Sequence, residues 1–117
     1  MVGSLSRRPA AGVITRGDVY DADLGPHGNR PCVIVTRDVA IPVLNALSAV
    51  AVTSTIRGHL VEVELDERHG LDHACVANCD VVVNVPKALL GRRRGALDAA
   101  TLRRIDATLK GSLGLDG

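Results

Sequence analysis

One stretch of the sequence places a cation where it can meet a phosphate: Arg30-Pro31, followed by the apolar residues 32–35. Proline fixes its own φ angle and biases the preceding residue toward extended geometry, so we expect Arg30 at the mouth of a strand. The short, β-branched run after it is typical of a strand buried on both faces. A guanidinium held at the start of such a strand can stabilise a phosphate or an oxyanion.

Two other features add chemistry to this cation. The hydroxyl run Thr53-Ser54-Thr55 ends another apolar segment, and His27 lies in the loop before Arg30. If the two strands pair, these groups converge on one face. They would then provide charge stabilisation, a phosphate-oxygen donor and proton transfer, which together are what phosphodiester cleavage needs. RNA suits such a set because its own 2′-hydroxyl is the nucleophile. The sequence has no cluster of Asp and Glu at metal-binding spacing, so it gives no indication of a two-metal nuclease.

Structural interpretations of the same residues stay open at this point. An arginine before a strand is often a surface or ion-paired residue. Hydroxyls at a strand end often bond to the backbone of a turn, and a histidine in a glycine-rich loop is often solvated. The residue types alone therefore give a hypothesis of phosphate chemistry, and their spacing does not decide it.

Cysteine and histidine also raise the question of a metal. His73 precedes Cys75 and Cys79, and a Cys-x3-Cys spacing in a strand points both thiols to one face. A fourth ligand is not evident, so we expect no metal and no cofactor, and small buried cysteines instead. Cys32 lies within an apolar run and is expected in the core.

The pattern of turns and apolar runs predicts a mainly β fold with a C-terminal helix. Glycine is expected to cap a helical turn at residues 66–71, and a kink near residues 78–80 divides a run too long for one straight strand. Asp98 is expected to cap a helix with apolar residues at helical spacing. The expected strands are residues 16–24, 30–35, 47–55, 60–65, 75–85 and 92–97. In hairpin order they indicate a small, strongly bent β-barrel with the helix closing one end.

Composition limits the range of functions. The 117 residues allow one domain, expected at residues 14–117 after a flexible lead-in at 1–13. Tyr20 is the only aromatic residue, which excludes single-strand binders that rely on rows of stacking rings. No apolar run approaches the roughly 20 residues that cross a bilayer, so we expect no membrane and a cytoplasmic protein with reduced thiols.

Charge is distributed unevenly along the chain. The formal net charge is +1, but residues 91–117 carry six cations and three aspartates, a net +3. The run Arg92-Arg93-Arg94 is part of this excess. A basic patch of this kind binds a polyanion or simply faces solvent, and the sequence leaves both open.

The ordered motifs resemble the MazF/PemK family of toxin endoribonucleases. Residues 16–20, RGDVY, resemble the opening strand of that family, and residues 28–35, GNRPCVIV, resemble its most diagnostic motif. Residues 50–54, VAVTS, resemble the strand that ends in a catalytic threonine. Cys79-Asp80 and the edge strand before the last helix also fall in the family's order.

The resemblance implies an SH3-like, CcdB/PemK-like barrel that forms a homodimer and acts as the toxin of a type II toxin–antitoxin system. It implies metal-independent cleavage of single-stranded RNA at a short sequence, and a cognate antitoxin whose acidic, flexible segment covers the RNA groove. Arg30 and Thr53 take the catalytic positions. The supporting candidates are His27, Ser54 and Asp80, and the expected RNA contacts are Arg30, Asn29, Thr55, Arg57 and Asn78.

Two departures from the family pattern and two other functions stay open. The loop before Arg30 is shorter than in many members, so the cleaved RNA sequence does not transfer, and Asn78 stands where the PemK-like branch has an arginine.

A gyrase-poisoning toxin on the same barrel would bind a protein and cut nothing. Such relatives end in a hydrophobic–aromatic helix, whereas this chain ends in LGLDG, without an aromatic residue. The last alternative is an inert barrel that serves as an interaction module.

Overall fold

The structure is a computed structural model, and it describes residues 13–115. The expected lead-in up to residue 12, and residues 116 and 117, lie outside the described residues. Within the described part the fold is mainly β with one α-helix near the C-terminal end, as predicted. The elements are β1 Asp18–Asp23, β2 Asn29–Ile34, β3 Ala46–Thr53, β4 Glu62–Leu65, β5 Cys75–Pro86, β6 Leu90–Ala96 and α1 Ala99–Ser112. Short 3-10 turns occur at Gly25–His27, Glu67–His69 and Lys87–Leu89.

The six strands form one antiparallel sheet in the order β4-β5-β3-β2-β1-β6 across residues 13–115. Hairpin order holds for β1, β2 and β3, but β3 pairs with β5 rather than with β4. Strict hairpin order was therefore wrong for this part of the sheet. The reason is the length of β5, whose first residues lie between β3 and β4 and pair with both.

A bulge divides β5 where the sequence predicted a kink. The register with β3 jumps from Val50 opposite Val82 to Ala51 opposite Asn78, which leaves three residues of β5 without a partner in β3. Bulges bend a strand and increase its twist. The bulge therefore lets a twelve-residue strand follow a strongly bent sheet, and the prediction near residues 78–80 is confirmed.

The turn after β4 brings the two ends of the bent sheet together. The 3-10 turn Glu67–His69 ends at Gly70, which is left-handed with φ +89°, as the predicted glycine cap requires. A Cβ at Gly70 would lie 2.0 Å from the carbonyl oxygen of Arg94 in β6. Only glycine fits this contact, so the sheet bends into a half-barrel whose β4 side packs against β6.

Apolar residues fill both faces of the central strands. One cluster lies under α1 and includes Val33 of β2 and Ile105 of the helix, both fully buried. The other cluster, on the opposite face, contains Tyr20, Cys32 and Ile34. Strand β2 is thus buried on both faces, as its sequence predicted, and it forms a rigid support for the residues at its start.

Helix α1 begins at the predicted cap. The carboxylate of Asp98 accepts hydrogen bonds from the backbone N–H of Thr101 at 3.2 Å and from its Oγ1 at 2.6 Å. The buried His69 places its Nε2 3.2 Å from Asp98 Oδ1, which ties the turn after β4 to the helix. Leu102, Ile105 and Leu109 face the core as predicted, whereas Leu113 is exposed. No helix in the described range is long and apolar enough to cross a membrane.

Candidate active site

A depression of about 370 Å³ contains the predicted cation and the predicted hydroxyl run. Strands β2 and β3 pair with Cys32 opposite Ala51, and continuing this register places Arg30 beside Thr53. Arg30 and the hydroxyl run therefore converge, whereas His27, the third group of the expected set, is not among the residues that line this depression. The lining residues are Arg30, Pro31, Val52, Thr53, Ser54, Thr55, Leu71, Asp72, His73, Cys75 and Arg94.

Arg30 is a cation without a partner. Its Nε atom is buried and has no hydrogen-bond acceptor among the described residues. Leaving a buried donor unsatisfied costs roughly 1–3 kcal/mol, and more when the group is charged. A phosphate oxygen is the kind of acceptor that would remove this cost, and it would do so through a charge-assisted hydrogen bond.

The hydroxyl of Thr53 is placed so that it can donate a hydrogen bond. Thr53 Oγ1 accepts a hydrogen bond from the backbone N–H of Thr55 at 3.1 Å, which fixes the oxygen at the end of β3. The hydroxyl hydrogen stays free to donate to another group. Ser54 and Thr55 are exposed beside it. Thr53 thus stabilises the turn and still keeps a hydroxyl hydrogen that can be donated.

Arg94 also lines this depression, and the sequence did not single it out. Its side chain is only 11% exposed and it bonds Asp21 Oδ1 at 3.0 Å, Asp72 Oδ1 at 3.2 Å and the carbonyl of Gly70 at 3.1 Å. The signal was hidden because Arg94 belongs to a run of three arginines that resembles a solvated basic patch. The run is instead largely ion-paired, since Arg93 also bonds the buried Asp18, at 3.2 Å.

His73 is the second lining residue whose place the sequence did not predict. It was a candidate only as a zinc ligand, yet it lies exposed in the same depression as Arg30 and Thr53. Its position between the glycine-capped turn and β5 was the available signal, because that turn returns the chain to the edge of the sheet. Unless the pairing of the strands is known, the sequence position of His73 does not show that it lies near Arg30 and Thr53.

A second depression, of about 490 Å³, shares Arg30, Pro31 and Arg94 with the first. Asn29, one of the predicted RNA contacts, lies in it together with Gly91 and Leu89 of β6 and the turn before it. The two depressions therefore adjoin, and together they form a surface in which both arginines line both parts. We call this the Arg30 groove.

Several other predicted residues do not line the Arg30 groove. His27 lies in a separate depression with Pro26 and Asn84. Asp80 accepts a hydrogen bond from Ser112 Oγ at 2.6 Å, and the side-chain oxygen of Asn78 accepts one from the backbone of Asp80 at 3.0 Å. The structure thus ties Asp80 and Asn78 to the bulge and to the end of α1.

Arg57 is also outside the Arg30 groove. It lies in the loop between β3 and β4, where its backbone N–H bonds the carboxylate of Glu62 at 3.1 Å. Glu62 also accepts from Gly58 at 2.9 Å, and these bonds close the loop, so that β4 begins at Glu62 rather than at the predicted residue 60. The side chain of Arg57 is exposed and forms no hydrogen bond or ion pair with any described residue.

The cysteines are thiols in the interior. Burial raises the pKa of Cys32 to about 12 and that of Cys79 to about 11, and burial also raises the pKa of Cys75. Cys75 and Cys79 belong to the apolar cluster under α1. Among residues 13–115, no group of three or more His, Cys, Asp or Glu side chains is placed to hold a metal ion.

Comparison with known proteins agrees with this architecture. Residues 15–113 match the family described as PemK-like, MazF-like toxin of type II toxin–antitoxin system. Endoribonuclease MazF3 of Mycobacterium tuberculosis is 38% identical over 71 residues, 61% of this chain and 69% of that protein. Probable endoribonuclease MazF2 of the same organism is 34% identical over 100 residues, 85% of this chain and 97% of that protein.

A solved structure shows the same fold. It is described as an endoribonuclease in complex with its cognate antitoxin from Mycobacterial species, and it is 31% identical to this chain with a TM-score of 0.80. The match covers 89% of this chain and 98% of that chain. The predicted fold class and family resemblance are thereby confirmed, and the chain belongs to the family of PemK-like, MazF-like toxins of type II toxin–antitoxin systems.

Proposed function

We propose that this chain is the toxin of a type II toxin–antitoxin pair and an endoribonuclease that cleaves single-stranded RNA without a metal ion. Relatives in its family are described as endoribonucleases. The observation that carries the proposal is the buried, unpartnered Nε of Arg30, which lies in one depression with the free hydroxyl of Thr53. We assign that pair of groups to the phosphate of the RNA.

The chemistry follows from the two groups. The 2′-oxygen of the RNA attacks the adjacent phosphorus, the bond to the 5′-oxygen breaks, and a 2′,3′-cyclic phosphate forms. Negative charge grows on the phosphoryl oxygens during this step, and preorganised donors that meet this charge lower the barrier. We assign charge stabilisation to Arg30 and the positioning of a phosphoryl oxygen to Thr53. A guanidinium holds its proton at cellular pH, so Arg30 acts through its charge and its N–H groups.

RNA on either side of the cleaved bond is held by the rest of the Arg30 groove. Ser54 and Thr55 offer hydroxyls beside Thr53, and Asn29 offers an amide on the other side of Arg30. Tyr20, the one aromatic residue of the chain, is buried in the core, so hydroxyl, amide and guanidinium groups hold the strand. His27 and Asp80 stay predictions as supporting catalytic residues, and Arg57 and Asn78 stay predictions as RNA contacts.

The same unpaired charge explains how a partner would inhibit the toxin. One solved relative is described in complex with its cognate antitoxin. An acidic, flexible segment of the cognate antitoxin would supply a carboxylate to Arg30 and cover the groove against RNA. We further propose a homodimer, as the family resemblance implies, acting in the cytoplasm.

The test is incubation of the purified protein with long single-stranded RNA in the presence of EDTA. We expect discrete fragments that end in 2′,3′-cyclic phosphate, and their loss in Arg30→Ala and Thr53→Ala variants that remain folded. Arg92→Ala is the matched control because Arg92 is exposed and lines neither depression. If the parent protein cuts no RNA but blocks DNA supercoiling by gyrase, the gyrase-poison alternative is correct. If both variants cut like the parent, the site assignment is wrong.

A further inference from the structure

The depression around Arg30 and Thr53 is rich in proton donors and poor in proton acceptors. Guanidinium groups, here those of Arg30 and Arg94, only donate. The hydroxyls of Thr53, Ser54 and Thr55 donate readily but are weak bases. The leaving 5′-oxygen thus finds donors on several sides, whereas the proton of the attacking 2′-hydroxyl needs an acceptor that these residues do not supply.

Three lining side chains have an atom that can accept a proton, and two of them are engaged. The carboxylate of Asp72 is paired with Arg94 at 3.2 Å. Cys75 is buried, and burial raises the pKa of its thiol, which therefore keeps its proton. His73 is exposed to the depression and forms no side-chain hydrogen bond or ion pair with any residue in the described range. It is the acceptor that the fold leaves free.

The backbone on both sides of His73 is anchored. On one side Gly70 packs against the backbone of Arg94 in β6. On the other side β5 begins at Cys75, which pairs with Leu65, and the next residue, Val76, pairs with Thr53. His73 therefore precedes Val76, the direct partner of Thr53, by three residues, and it lies on a short segment that is anchored at both ends. The charged groups that line the depression with it are Arg30 from β2, Arg94 from β6 and its neighbour Asp72.

On the basis of the proposed ribonuclease activity, we propose that His73 is the general base of RNA cleavage. Its neutral imidazole takes the proton of the 2′-hydroxyl as the bond between the 2′-oxygen and phosphorus forms. The bond from phosphorus to the 5′-oxygen breaks, and that oxygen takes a proton from the donors or the water around it. The imidazolium then returns its proton to solvent, so the reaction consumes no net proton.

The test compares His73→Gln with the parent on one short RNA that contains a mapped cleavage site. General bases typically contribute about 10²-fold to 10⁴-fold, so we expect kcat/KM to fall by at least about 10²-fold. The pH profile of the rate should also differ between parent and variant, because only the parent carries the imidazole base. His59→Gln is the control because His59 is an exposed histidine that lines neither depression of the Arg30 groove. Its kinetics should match the parent.

A substrate with sulfur in place of the bridging 5′-oxygen separates a base from an acid. Sulfur leaves without being protonated, so it would rescue the variant if His73 were the general acid. We expect no rescue. Full rescue, or an unchanged rate and pH profile in folded His73→Gln, would overturn the assignment to His73 while the proposed ribonuclease activity stands. An absence of cleavage by the parent itself would instead overturn the proposed function, and His73 with it.

Discussion

Arg30 and Arg94 line the same two depressions but are opposite in character. Arg94 is almost buried and bonds two carboxylates and one carbonyl. Arg30 carries a buried Nε that has no acceptor in the part of the chain that the structure describes. The protein thus satisfies the guanidinium of Arg94 with its own atoms, and under the proposed function a phosphate satisfies that of Arg30. The difference separates a scaffold arginine from a binding arginine, although both are arginines in one groove.

The two arginines nevertheless depend on each other through the sheet. Arg94 links Asp21 of β1 to Asp72 in the turn that also carries His73. Strand β1 pairs with β2 so that Ala22 lies opposite Arg30. Arg94 therefore holds the backbone on which Arg30 and His73 are displayed. Loss of Arg94 should act on stability, and loss of Arg30 should act on the reaction.

The largest expected effect is that of Arg30→Ala on cleavage. Removing one preorganised donor to a developing oxyanion costs about 10²-fold to 10³-fold, and Arg30 adds a full charge, so we expect a loss of at least about 10³-fold in kcat/KM. Stability should change by less than about 1 kcal/mol, because no partner in the protein is left behind. Single-turnover cleavage and urea unfolding measure the two quantities. A variant that unfolds easily but still cuts RNA when folded would reverse the comparison.

Thr53→Val comes next, because it removes one neutral donor and keeps the shape of the side chain. We expect about a 10²-fold loss of kcat/KM, less than for Arg30→Ala, since a neutral hydrogen bond is weaker than a charge-assisted one. Thr108→Val is the matched control, because Thr108 is half-buried on α1, lines neither depression of the Arg30 groove, and bonds the carbonyl of Arg104 through its hydroxyl. Equal losses in the two valine variants would show that the hydroxyl of Thr53 has no special role.

Arg94→Ala should mainly destabilise the fold. It deletes two hydrogen bonds and one further ion pair of a nearly buried side chain, but Asp72 is 81% exposed and regains water, so we expect a loss of about 2 kcal/mol in the free energy of unfolding. Urea unfolding measures it, with Arg103→Ala on the exposed face of α1 as control. No loss of stability would contradict the scaffold role of Arg94.

The smallest effect is a pH dependence on the scaffold side. The hydrogen bond from Thr101 Oγ1 holds the pKa of the Asp98 carboxyl well below its usual range. A carboxyl with a lowered pKa in the folded state adds stability above its ordinary pKa, and this stability is lost as pH falls. The parent should therefore lose stability below about pH 4 more steeply than Asp98→Asn, as measured by urea unfolding. Parallel pH curves for the two proteins would exclude this role of Asp98.

Much of the fold was predictable because the residues that begin or end helices, strands and turns act locally. Gly70 ends a turn, Asp98 begins a helix, and the over-long run in β5 bends where polar residues interrupt it. Arg30 and Thr53 were predictable as candidates because each ends or begins an apolar strand. Their proximity required only that two neighbouring strands pair, which is the commonest outcome for consecutive strands.

The rest depended on contacts between residues far apart in sequence. Arg94 meets Asp21 across 73 residues, and nothing in the run Arg92-Arg93-Arg94 distinguishes the buried cation from the exposed one. The pairing of β3 with β5 is likewise non-local, and it is what brings His73 to the site. Asp80 and Asn78 have the residue types of a site, but their side chains bond to the helix end and the bulge. The residue types predicted the kind of chemistry. The strand topology was needed to decide which of the candidate residues lie together.

The central claim is that Arg30, not Arg94, is the guanidinium that meets the phosphate. NMR of the arginine side-chain Nε–H groups tests it directly, with a DNA version of the mapped cleavage site as ligand, because that strand lacks the 2′-hydroxyl and is not cut. We predict that the Arg30 Nε–H signal shifts and becomes protected from exchange as the strand binds, while that of Arg94 stays in place. A bound strand that shifts Arg94 and leaves Arg30 unchanged would contradict the account.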